Sequence, residues 1–179
     1  MVKQPNIVIT GTPGTGKTTL ATLLIEALNT KYPGQWKHFN ISEYVKNEGF
    51  HNGFDEEWQT YDVDEDRLLD ALEIVQKDGG RILDWHTCDS FPERWVDLVI
   101  VLRCDHSILW KRLEKRGYQL NKIQENNEAE IMEVCLEDAR ESYAQEIIIE
   151  LPSETNEQME ENVSRVVAWV EAYLANNTE

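Results

Sequence analysis

The chain has 179 residues, 41% of them hydrophobic, and a formal net charge of −17. That length suits one α/β domain with a substantial core. The composition argues against disorder, no run approaches the roughly 20 apolar residues of a membrane span, and the acidic excess argues against a wide nucleic-acid surface.

Residues 6–10 (NIVIT) are a short β-branched run and predict a buried strand. Residues 11–16 are a glycine-rich turn, and leucines at helical spacing then predict a helix to about residue 31. A possible second strand covers 37–40 and a short helix 41–49. Residues 50–63 are polar and irregular and read as a mobile loop or small helical insert. Asp64 is placed to cap a helix over 65–77, and Gly79-Gly80 breaks it. Strands follow at 81–84 and 97–102, and Asp105 is placed to cap a helix to about 116. A polar loop at 117–122, a helix at 124–143, a strand at 146–151 and a helix at 156–174 complete the chain. Strands alternating with helices, several of them continuous apolar runs, predict a parallel sheet covered on both faces, in one domain.

Residues 11–18 (GTPGTGKT) match G-x-x-x-x-G-K-[ST] between a predicted strand and a predicted helix. Each part has a physical reason. Gly11, Gly14 and Gly16 let backbone N–H groups turn inward around phosphate oxygens, and the helix N-terminus adds its dipole. Lys17 can reach the β- and γ-phosphates, and the Thr18 hydroxyl can ligate magnesium. The loop is therefore expected to bind ATP with Mg²⁺. Asp84, ending a predicted strand, is expected to face Thr18 and hold the ion through water. His86 follows two residues later and could position a water or an acceptor, although a lone histidine is more often structural. Arg112 and Arg116 lie four apart on one predicted helix face. They could clamp the transferring phosphoryl group or pair with neighbouring acids. Cys88, Cys104 and Cys135 match no zinc or disulfide spacing and read as free thiols.

The sequence resembles the adenylate kinase isoenzyme 6 family over nearly its whole length. The residues carrying the resemblance are GTPGTGKTT at 11–19, NGFDEE at 52–57, VDEDRLLD at 63–70, DWHTCDSFPERW at 84–95, RLEKRGY at 112–118 and KIQENNEAEIM at 122–132. The resemblance implies a P-loop, nucleoside-monophosphate-kinase-like fold with a five-stranded parallel sheet. Residues 40–63 would be the monophosphate-binding segment and 114–124 a short lid without a cysteine cluster. It implies ATP contacts from Gly14, Thr15, Gly16, Lys17, Thr18 and Thr19, with Arg116 and Arg112 approaching the phosphates from the lid side and His86 in a catalytic or coupling role. Lys46 stands where conventional adenylate kinases carry an arginine for AMP.

The resemblance further implies AMP as acceptor, ATPase activity, and a part in small-ribosomal-subunit maturation. The partners would be a platform ribosomal protein of the S11 family and the pre-ribosomal particle, in nucleus and cytoplasm. The −17 charge suits a basic partner of that kind. Two other readings remain: a nucleotide-switched chaperone for a basic ribosomal protein, and a metabolic kinase for another small acceptor.

Overall fold

Short, continuous apolar runs buried on both faces fix the architecture. The computed structural model describes residues 2–178. The strands β1 (Ile7–Thr10), β2 (Lys37–Asn40), β5 (Arg81–Asp84), β6 (Leu98–Arg103) and β7 (Ile148–Pro152) form one sheet in the order β2-β5-β1-β6-β7. All four pairings within it are parallel.

Successive strand residues face opposite sides of a sheet, and both sides are buried here. Ile7 and Ile9 of β1, with Leu98, Ile100 and Leu102 of β6, pack on one face against α1 (Lys17–Lys31) and α7 (Asn156–Asn176). Val8, Leu83, Val99 and Val101 face the other way, onto α2 (Ile41–Glu48), α3 (Glu65–Gln76) and α6 (Val134–Ser142). Fully buried side chains such as Leu24 and Leu28 on α1 each contribute roughly 1.5–3 kcal/mol. A smaller cluster of Leu109, Leu113 and Ile123 joins α4 (His106–Lys115) to α5 (Leu120–Ile131).

The expected helix caps are present. Asp64 accepts from the Arg67 N–H at 3.3 Å and Asp105 from the Ser107 N–H at 2.9 Å. The chain leaves β1 toward the β2 edge of the sheet and leaves its neighbour β5 toward the opposite, β6-β7 side. This creates a crevice beyond its carboxyl end, where ligands bind in open α/β sheets.

Two expectations are corrected. Residues 50–63 form an antiparallel hairpin of β3 (His51–Asp55) and β4 (Thr60–Val63), with an irregularity between His51 and Phe54, rather than a loop or helical insert. Most of its residues are exposed. It is held by the ladder and by aromatic contacts of Tyr61 with His51 and Phe54, at ring separations of 4.5 and 5.0 Å. The helix expected at 124–143 is two helices. The first starts within the expected loop, at Leu120, and Glu133 separates it from α6 in a left-handed conformation, φ 58°.

Candidate active site

The glycine-rich turn leaves β1 and enters α1 at the crevice. Gly16, the N-cap of α1, has φ 95°, which a side chain would strain. Gly11 passes so close to β6 that an added Cβ would lie 2.9 Å from the Leu102 carbonyl oxygen. Thr15 is buried and donates its hydroxyl to the Thr12 carbonyl at 2.8 Å, which tightens the turn.

Lys17 folds back across the loop and donates to the carbonyls of Gly11 at 2.8 Å and Thr12 at 3.2 Å. Burial lowers its pKa to about 8, with Asp84 the largest opposing influence. Phosphate oxygens would supply the negative charge this ammonium lacks. Thr18 donates its hydroxyl to Asp84 Oδ2 at 2.8 Å. His38 places Nε2 3.0 Å from the same oxygen, and the Asn40 amide lies 3.4 Å from the Thr18 hydroxyl. A hydroxyl and a carboxylate are hard oxygen donors, the set that suits a magnesium ion completed by substrate phosphates and water.

A cleft of about 680 Å³ opens in front of this group. Its floor includes Gly14, Gly16, Lys17, Asp84 and His86. The hairpin contributes Phe54, Trp58 and Tyr61, the turn after α4 contributes Arg116 and Tyr118, and the first turn of α5 contributes Lys122. The two walls meet. The Gln119 N–H donates to Gln59 Oε1 at 3.1 Å, Asn121 Nδ2 to the Glu57 carbonyl at 2.9 Å, and Lys122 Nζ to the Gln59 carbonyl at 2.7 Å. Lys17, Arg116 and Lys122, set against Asp84 and Glu125, give the lining a cationic balance in a chain of net charge −17.

His86 projects into the cleft, and its pKa is lowered to about 4 by burial, then by the charges of Lys17 and Lys122. The ring faces the cleft solvent, and the imidazole is neutral near pH 7. The two arginines diverge. Arg116 lines the cleft. Arg112 turns to backbone, donating to the carbonyls of Gly14 at 3.2 Å, Ser153 at 2.8 Å and Glu154 at 3.2 Å. It therefore braces the outer side of the loop here, away from the cleft lining. Thr19 is exposed on the first turn of α1, also outside the lining.

Three contributors carry no role readable from the sequence, although Lys122 and Glu130 lie within the stretch 122–132. His38 reaches Asp84 because β2 and β5 are neighbours, with Asn40 in register with Asp84. Glu130 is buried and accepts from Thr12 Oγ1 at 2.7 Å, Arg103 Nε at 2.7 Å and the Cys104 N–H at 3.3 Å, tying the loop to α5 and β6. Lys122 belongs to a segment expected to be a loop. No spacing signal marks His38 or Glu130, since their partners are 46 and 118 residues away.

A family model described as an AAA domain matches residues 7–133. The chain is 56% identical over 173 residues to an adenylate kinase isoenzyme 6 homolog of Schizosaccharomyces pombe, covering 97% of this chain and 95% of that one. It is 49% identical to a protein of the same name from Dictyostelium discoideum, covering 97% and 96%. Among solved structures, a shikimate kinase from Bacteroides thetaiotaomicron superposes with a TM-score of 0.60 at 17% identity, covering 94% of this chain and 99% of that one. The fold is that of the P-loop kinases, and with these relatives the protein is a nucleoside monophosphate kinase. The chain belongs to the adenylate kinase isoenzyme 6 family.

Proposed function

We propose that this enzyme transfers the γ-phosphoryl group of magnesium-bound ATP to AMP, giving two ADP, and that water is a slower acceptor. The observation that carries the reading is the contact between Thr18 and Asp84, 2.8 Å long, on the floor of a cationic cleft with aromatic walls.

The loop amides and Lys17 bind the phosphates of ATP, with Thr18 and Asp84 as the residues that would hold Mg²⁺. The bound ion would shield phosphate charge during transfer. An oxygen of the AMP phosphate forms the new bond to the γ-phosphorus as the bond to the β–γ bridging oxygen breaks. Both products are ADP, and near neutral pH no net proton is released. Arg116 faces the transferring group, where negative charge is spread over three oxygens. The hairpin and lid, already touching through Gln59, limit water entry. When water is the acceptor a proton must leave it, and the neutral imidazole of His86 can accept a hydrogen bond from that water.

We also infer that the enzyme acts in small-subunit maturation in nucleus and cytoplasm, through a basic platform ribosomal protein of the S11 family and the pre-ribosomal particle. The net charge of −17 supports this, as does an exposed apolar group at the junction of α5 and α6. Ile131, Met132 and Val134 there are 57%, 67% and 42% exposed, beside Glu133 and Glu137. Glu133 and Glu137 are paired with Arg103 and Arg140, so the patch offers apolar anchors and the acidic excess of the whole chain supplies the attraction for a basic partner. We assign no wide nucleic-acid surface and no membrane contact; no helix among the described residues is long and apolar enough to cross a membrane.

Two measurements test this reading. ADP formation from Mg-ATP with and without AMP tests the kinase half. Titration with a recombinant S11-family protein at low and high salt tests the assembly half, and no binding at low ionic strength would remove it.

A further inference from the structure

Lys122 lies in the first turn of α5 and lines the cleft. One of its three N–H donors goes to the Gln59 carbonyl at 2.7 Å, and its ammonium sits 4.2 Å from the centre of the Tyr118 ring. None of the ion pairs among the described residues includes it. Glu125 lines the same cleft but makes no ion pair with Lys122, and an ammonium so placed is matched to an anionic ligand.

The opposite wall lacks that charge. Between residues 40 and 63 the single lysine or arginine is Lys46, which is exposed and outside the cleft lining. What the hairpin offers the cleft is aromatic, namely Phe54, Trp58 and Tyr61. Such a wall suits a base, while a nucleotide's phosphate needs a cation from elsewhere. Lys17 is committed to the glycine-rich loop and Arg116 to the transferring group, which leaves Lys122.

We propose that Lys122 is the acceptor-phosphate residue: its ammonium leaves the Gln59 carbonyl and binds the 5′-phosphate of the incoming nucleoside monophosphate. Hairpin and lid are then joined by that phosphate instead of by a direct contact. This deepens the reading of the cleft as a kinase site and rests on it.

The test is initial-rate kinetics of the full chain with Mg-ATP and AMP, comparing wild type with Lys122→Met, Lys122→Arg and Asn121→Ala. For Lys122→Met the expected result is a KM for AMP raised about 10- to 100-fold, with KM for ATP within about twofold. Inhibition by adenosine, which lacks the phosphate, should be unchanged. Lys122→Arg should recover most of the loss. Asn121→Ala removes a neighbouring contact of the same roof, from Asn121 Nδ2 to the Glu57 carbonyl, and should leave KM for AMP near wild type. An unchanged KM for AMP in Lys122→Met, or an equal rise in Asn121→Ala, overturns the assignment. Failure of the underlying reading is separately visible, because wild type would then show no AMP-dependent ADP formation. If Lys122→Met does not fold, Lys122→Gln decides: a KM for AMP raised about tenfold or more with KM for ATP unchanged supports the proposal, and a KM for AMP near wild type overturns it.

Discussion

Thr18 and Asp84 are 66 residues apart in the chain and meet at 2.8 Å through hydroxyl and carboxylate. The meeting follows from strand order. β5 lies beside β1 with Asp84 in register with Ile9, so the end of one strand faces the loop that leaves the other. His38 arrives at the same carboxylate oxygen from β2, on the far side of β5.

Asp84→Asn keeps the shape and an acceptor for Thr18 but removes the charge. Turnover with Mg-ATP should fall about 10²- to 10³-fold with little change in fold. Steady-state kinetics beside a thermal melt check this. Turnover within threefold of wild type would show that this carboxylate is not part of the metal site.

Lys17 titrates at about 8 in the free protein because burial disfavours its charged form. ATP binding favours the ammonium, so the complex takes up a proton where the free lysine is partly neutral. Affinity for ATP should therefore weaken as pH rises through 8, by about tenfold between pH 7 and 9, with proton uptake on binding near pH 8. Calorimetry in buffers of different ionisation enthalpy measures the uptake. Lys17→Met should lose both the uptake and the turnover.

His86 separates the two acceptors. A phosphate oxygen attacks without giving up a proton near neutral pH, whereas water must lose one. His86→Ala should lower AMP-independent ATP hydrolysis about 10²-fold and leave transfer to AMP within about threefold. With the imidazole pKa lowered to about 4, the ring is neutral above pH 5, so hydrolysis should show no His86-dependent change between pH 6 and 8. Product analysis with and without AMP, across pH, checks both points.

Glu130 holds Thr12 of the loop and Arg103 of β6 together from inside α5. Glu130→Ala leaves those donors short of a partner, and Arg103 keeps Glu150 at 3.1 Å. The expected loss is about 2–4 kcal/mol of stability, read by urea denaturation, with a higher KM for ATP. Glu130→Gln, which keeps the acceptor, should lose less.

Met132 is 67% exposed at the junction of α5 and α6. Met132→Asp should weaken binding of the S11-family protein about tenfold or more while leaving ADP formation from ATP and AMP unchanged. Pull-down and kinase assays on one preparation measure the two together.

What the sequence makes legible follows from where the physical signal lies. The sheet strands are short apolar runs because both of their faces are buried, so β1, β5 and β6 stand out. The glycine-rich loop is legible because phosphate binding constrains its backbone residue by residue. The hairpin at His51–Val63 is not, since it is largely exposed and its stability comes from pairing that leaves no apolar alternation. The break at Glu133 carries no glycine or proline, and its left-handed residue is an ordinary glutamate. Arg112 and Arg116 share a spacing but not a role in this structure: helix phase set them on one side, and the position of the loop carbonyls turned Arg112 away from the cleft. His38, Glu130 and Lys122 gain their meaning only when strand and helix neighbours are known.

The measurement that bears most directly on the central claim is the ADP yield of wild-type enzyme with Mg-ATP, with and without AMP. The account predicts strong stimulation by AMP and two ADP formed for each ATP consumed. One ADP per ATP, at a rate indifferent to AMP, would contradict it.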